Sequence, residues 1–188
     1  MRIFKQEISV TSKAKAKGNA WEREICNFLG ETLGGNFQRV PNSGAYMGGK
    51  NVFRKEFLSD GQQRAAKGDI IPPDDLPKLN LEAKNYADIA FHQIIDGSCK
   101  QLDAWIDQTE EPADEDDLSF TIFKITRKGS WVVFKAKYLA DFDLAGLSYV
   151  TYRKAFGTPE ATDYVIVTHE EFFKQNVEAV RKLGGTVN

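Results

Sequence analysis

The clearest helical pattern in the chain runs from Lys17 to Leu33, where Trp21, Ile25, Phe28, Leu29 and Leu33 recur at spacings of three and four. Gly34-Gly35 ends that run, as glycines just past a periodic segment commonly do. Residues 1–12 carry no such period and read as a strand-like or mobile arm. Phe37-Gln-Arg-Val-Pro41 predicts a short strand closed by Pro41 and the turn-forming Asn42-Ser43-Gly44. Asp69-Ile70-Ile71 predicts another, stopped at Pro72-Pro73, with Leu79–Lys84 as a second strand across the turn. Over 91–107, Phe91, Ile94, Ile95, Leu102, Trp105 and Ile106 predict an amphipathic helix, weakened in its middle by Gly97 and Ser98. The acidic stretch 107–117 predicts a solvated loop. Beyond it the chain turns β-rich: a hairpin of Leu118–Thr126 with Trp131–Phe134, strands at Tyr149–Arg153 and Tyr164–Thr168, and a closing helix over 169–183. This order predicts an α/β domain with a mixed central sheet flanked by helices.

Composition narrows the function classes. At 188 residues, 41% hydrophobic and 28% charged, the chain reads as one ordinary globular domain over 1–188. No apolar run approaches the roughly 18–20 residues of a membrane span. MRIFKQEISV has neither the apolar core nor the cleavage site of a signal peptide, so the sequence reads as cytosolic with no membrane partner. Cys26, Cys99, His92 and His169 lack metal-ligand spacing and argue against a structural zinc site.

The net charge of −2 conceals an asymmetry. Residues 1–67 hold 12 Lys and Arg against 6 acids, a net of +6; residues 68–188 hold 13 against 21, a net of −8. Within the basic part, 45–67 combines Gly48-Gly49 and Gly61 with Lys50, Arg54, Lys55, Arg64 and Lys67. It reads as a long loop with a helical turn near Gln62–Ala66, of a length that is usually functional or disordered. A DNA-contacting arm, ordered on binding, is the functional reading; a solvated face is the bland one.

Three segments carry candidate chemistry. Glu82 and Lys84, two apart in a strand, project to the same side, and the hairpin-like return brings Asp69 beside them. Neighbouring carboxylates repel unless a cation lies between them, and such oxygen ligands suit Mg²⁺, with Mn²⁺ as a substitute. Glu22 lies in line with Ile25, Cys26, Leu29 and Leu33 and borders the buried stripe of the first helix. Arg39-Val-Pro-Asn-Ser43-Gly44 leads into a turn whose hydroxyl and free N–H groups suit a phosphate.

Lys17-Gly-Asn-Ala-Trp-Glu22, Arg39-Val-Pro-Asn-Ser43-Gly44, Gly68-Asp69-Ile-Ile and Leu81-Glu82-Ala-Lys84 occur in this order. The series resembles the archaeal-type Holliday-junction resolvases of the PD-(D/E)xK nuclease superfamily, over roughly residues 13–107. The resemblance implies a restriction-endonuclease-like α/β fold and Mg²⁺-dependent hydrolysis of DNA phosphodiesters by a homodimer acting on branched DNA. By position it implies Glu22 as the helical acid, Ser43 as the active-site serine, Asp69 and Glu82 as the metal pair and Lys84 as the catalytic lysine. Glu22 would hold a second metal or its water. Gln93 matches loosely a glutamine near the family's site, and Lys17 and Arg39 join the basic loop as candidate DNA contacts. Three departures stand out: Gly68 in place of the usual Pro, the long 45–67 insertion, and the β-rich extension 118–188. Two other readings remain open: a related nuclease cutting restriction-like, flap or single-stranded substrates, and a non-catalytic nucleic-acid-binding protein on the same fold.

Overall fold

A computed structural model describes residues 3–40, 67–154 and 162–185, with side chains from Lys13 onward. Seven strands form one mixed sheet in the order β1-β2-β3-β4-β5-β7-β6. They are β1 (Gln38–Arg39), β2 (Ile70–Ile71), β3 (Leu79–Tyr86), β4 (Leu118–Ile125), β5 (Gly129–Lys135), β6 (Tyr149–Lys154) and β7 (Thr162–Thr168). Among the described strands only β3 and β4 pair in parallel, with Leu79 opposite Leu118 and Tyr86 opposite Ile125. A parallel pair needs a crossover, and the helices between these two strands supply it. The β-rich segment after residue 118 contributes β4 to β7 of this same sheet.

The described helices are α1 (Ile3–Leu33), α2 (Phe91–Ile95), α3 (Lys100–Glu110), α4 (His169–Gln175) and α5 (Val177–Gly184). On one face of the sheet, Trp21, Ile25 and Leu29 of α1 pack with Phe172 and Phe173 of α4 over Leu81, Phe120 and Ile122. On the other, Leu102, Trp105 and Ile106 of α3 pack over Phe123, Ile125 and Ile166. β4 is therefore covered on both sides, and all its residues but Lys124 are buried. No described helix is long and apolar enough to cross a membrane.

Four boundaries differ from the sequence expectation. α1 begins at Ile3, so residues 3–12 are helix and not a strand-like arm. No Gly or Pro interrupts them, and Lys5, Gln6 and Glu7 favour helix. The helix expected over 91–107 is two helices, broken where Gly97 takes φ +69°. The closing helix is also two, divided at Asn176, whose Nδ2 donates to Phe172 O and Asp143 O. Finally, α3 continues to Glu110, and the acids after it are not simply solvated. Asp117 is buried, accepting from Asp114 N at 2.8 Å and from the Lys67 ammonium at 2.6 Å.

Candidate active site

The shortness of β2 creates the site. β2 meets β3 at the pair Ile70 and Leu81, and among the described residues no strand pairs with the outer edge of β3 beyond that point. Asp69, just before β2, occupies that edge. Its N–H donates to Leu81 O at 3.0 Å, and its Oδ2 accepts the N–H of Ala83 at 3.1 Å. One carboxylate oxygen is thus fixed in the plane of the sheet. Gly68 permits this approach: a Cβ there would lie 2.4 Å from Leu81 O, so neither proline nor any other residue with a Cβ fits without a shift.

Glu82 and Lys84 project toward α3. The Lys84 ammonium donates to Glu82 Oε1 and, at 2.8 Å, to Gln108 Oε1 on α3. From the opposite layer, α1 brings Glu22. Arg39 donates from Nε to Glu22 Oε2 and from Nη2 to Asn19 Oδ1 at 2.7 Å. The pairing of Arg39 with Ile70 and the hydrogen bond from Val40 N to Asp69 O hold this strand against the acid-bearing one. Three acids at this edge are thereby buried: Glu22 is 7%, Asp69 6% and Glu82 2% exposed.

Burial of that kind is unfavourable for carboxylates. Desolvation, then the charge of Asp69, raises the pKa of Glu82 to about 8, against the lowering effect of Lys84. Each buried charge makes the other more costly, so a proton or a cation between Glu82 and Asp69 relieves the repulsion. Glu22 is raised in the same direction by desolvation, with Arg39 pulling it down and Asp69 pushing it up. Among the described residues no three His, Cys, Asp or Glu side chains form a complete ligand set. The paired carboxylates nonetheless suit a hard divalent ion that keeps several waters and takes one or two acids from the protein.

The structure therefore brings together Glu22, Asp69, Glu82, Lys84 and Arg39. It does not leave Arg39 as a free phosphate contact, because Glu22 and Asn19 engage its guanidinium. Lys67 is likewise held, by Asp114 and Asp117 at 2.6 Å each. Lys17 donates to Thr126 Oγ1 at the end of β4. Gln93 lies on α2, which packs against β6 on the far side of the sheet from β2. The glutamine that touches the lysine is Gln108, which the sequence reading missed. Its signal was its place: it precedes Thr109, which completes the buried stripe of Leu102, Trp105 and Ile106. Ser43, Lys50, Arg54, Lys55 and Arg64, with the expected turn at 62–66, lie outside the described residues.

An acid before a short strand, a Glu-x-Lys on the next strand and an acid on the preceding helix meet here at one sheet edge. The family described as phage putative PDDEXK endonuclease matches residues 13–182. The chain belongs to that family. It is a nuclease of the PD-(D/E)xK superfamily, on the mixed α/β sheet that the sequence predicts. The archaeal resolvase type within the superfamily receives no support from this match. No curated protein and no solved structure matches the chain. The family match extends through β4 to β7, well past the 13–107 span of the sequence resemblance.

Proposed function

We propose that the chain is a divalent-metal-dependent DNA endonuclease, with Mg²⁺ as its ion, whose site is Asp69, Glu82, Lys84 and Glu22. The observation that carries the reading is the burial of the Asp69 and Glu82 carboxyls on neighbouring strand segments at a sheet edge, with Lys84 donating to Glu82.

Asp69 and Glu82 would hold the ion, which when bound supplies Lewis acidity toward the phosphoryl group and acidifies water. Asp69 is pre-positioned by the Ala83 N–H, so its second oxygen is presented without further ordering. Lys84 has three N–H donors; Glu82 and Gln108 take two, leaving one to stabilise charge on a phosphate oxygen or to orient the attacking water. Glu22, held by Arg39, sets the negative field on the other side of Asp69 and is the candidate acid for a second ion or a bound water.

For the substrate, the resemblance to junction resolvases favours a four-way DNA junction cut by a homodimer, ahead of linear, flap or single-stranded DNA. The test is cleavage of an immobile four-way junction and of linear duplex in parallel, with Mg²⁺ or EDTA. Preferential paired cuts in the junction support the resolvase reading. Equal cutting of all substrates removes it and leaves the endonuclease. DNA binding with no product in Mg²⁺ or Mn²⁺ would mark a non-catalytic binder.

A further inference from the structure

Charge is polarised along the parallel strands as well as along the chain. β3 and β4 both start beside the acidic segment that ends at Asp117, where Lys67 and Lys78 are already paired to Asp114, Asp116 and Asp117. Both strands finish, at Tyr86 and Ile125, beside a basic rim.

That rim comes from two elements running in opposite directions. Trp21 of α1 donates from Nε1 to Ile122 O at 3.5 Å, and Lys17, one turn earlier, reaches Thr126 Oγ1. α1 therefore runs back along β4 toward the strand's end. Lys13, one further turn back on the same helix face, extends this line past Thr126 toward the turn that carries Arg127 and Lys128. Lys13, Arg127 and Lys128 are all exposed. Asp88 pairs with Lys128 and Glu24 with Lys124, whereas no described acid pairs with Lys13 or Arg127.

Arg127 adds a separate observation. It takes φ 63°, the one positive φ at a non-glycine among the described residues. A tight turn of this kind suits Gly or Asn, and a long cationic side chain there is held at a conformational cost. Strain retained at an exposed basic tip points to use of that side chain.

The rim also lies at a suitable distance from the site. Lys84 pairs with Phe123, and Thr126 is three residues further along, about 10 Å at strand rise. That is about three nucleotides at 3.4 Å of axial rise per phosphate along one strand.

Resting on the endonuclease reading, we propose that Lys13 and Lys17 of α1, with Arg127 and Lys128 of the β4–β5 turn, form the surface that grips the phosphate backbone of a DNA duplex to one side of the cut. The contact is sequence-independent, and the acidic end of the same strands repels DNA from the other side.

The test compares the full chain with two triple variants of equal charge change. One is Lys13→Ala/Lys17→Ala/Arg127→Gly at the rim; the other is Lys100→Ala/Lys137→Ala/Lys182→Ala at exposed sites elsewhere. Affinity for a labelled duplex is measured across salt concentrations in EDTA, and parental cleavage in Mg²⁺ is measured on the same preparation. Loss of each phosphate contact should reduce the slope of log K against log salt by about 0.9, hence by about 2.7 for the rim triple. The control triple should keep the parental slope. Arg127→Gly alone should melt no lower than the parent, showing that the turn survives. An unchanged rim slope, or an equal fall in both triples, overturns the inference, and parental cleavage then still supports the endonuclease reading. A reduced rim slope in a protein that does not cleave supports the surface and removes the catalytic reading. A parent that neither binds nor cleaves overturns both.

Discussion

Gln108 reaches from α3 to β3 and accepts a hydrogen bond from the Lys84 ammonium at 2.8 Å. The lysine is therefore held between one carboxylate and one neutral amide, from two different elements. Gln108→Ala should lower cleavage by about tenfold, the lower end for residues that orient a metal site from behind its ligands. Gln108→Glu keeps the acceptor and should lose less. The measurement is single-turnover cleavage with saturating Mg²⁺, alongside thermal melts to show the fold intact. Parental rates in the Ala variant would remove the positioning role.

The Arg39–Glu22 contact gives a second prediction. Both side chains are largely shielded, at 23% and 10% exposure, and Arg39 also ties down Asn19. Arg39→Ala leaves a buried carboxylate without its hydrogen-bonding cation and should cost about 2 kcal/mol of stability. In the Glu22→Gln background the same change should cost clearly less, a coupling that a double-mutant cycle by urea unfolding measures. Equal costs in both backgrounds would contradict the pairing.

Gly68 is required by contact, since Leu81 O sits where its Cβ would be. Gly68→Ala should therefore destabilise the protein by about 1–3 kcal/mol. It should also reduce cleavage at conditions where the variant remains folded, because Asp69 moves with it. A variant with parental melting and parental cleavage would show that the edge accommodates the methyl group.

The sequence made the strands and the chemistry of the site legible for a physical reason. Period-two alternation and short apolar runs marked Ile70–Ile71, Leu81–Lys84 and the β4–β5 hairpin, and charges entering such runs are costly enough to stand out. What stayed hidden depended on contacts between distant elements. Arg39 reads as a free cation until α1 and β1 are docked, and Lys67 reads likewise until Asp114 and Asp117 are placed around it. Gln93 and Gln108 are both glutamines after the Glu-x-Lys strand, and the break at Gly97 turns the chain so that the second faces Lys84. The early start of α1 was hidden because residues 3–12 lack the periodic stripe from which helices are read.

Stability of the metal-free protein should depend on pH with a defined sign. The pKa of Glu82 rises from about 4.3 unfolded to about 8 folded, and Glu22 shifts the same way. Between those values the folded state binds more protons, so stability falls as pH increases and is lost through about pH 8. His169, buried with a lowered pKa, acts oppositely below about pH 6.5, so the informative window is about pH 6.5–8. Melting temperature in EDTA should decline across that window, and Mg²⁺ should flatten the decline by occupying the acid pair. A flat profile in EDTA would contradict the raised Glu82.

The most direct test of the Asp69–Glu82 site is Glu82→Gln, measured for both melting and cleavage. Replacing one buried acid by its neutral isostere removes the repulsion, so the variant should melt higher than the parent in EDTA at pH 8. With Mg²⁺ it should lose DNA cleavage by at least about 100-fold, since a ligand should matter at least as much as the groups that merely orient ligands. Metal-dependent cleavage within about tenfold of the parent, a loss no larger than the lower end for such orienting groups, would contradict the account.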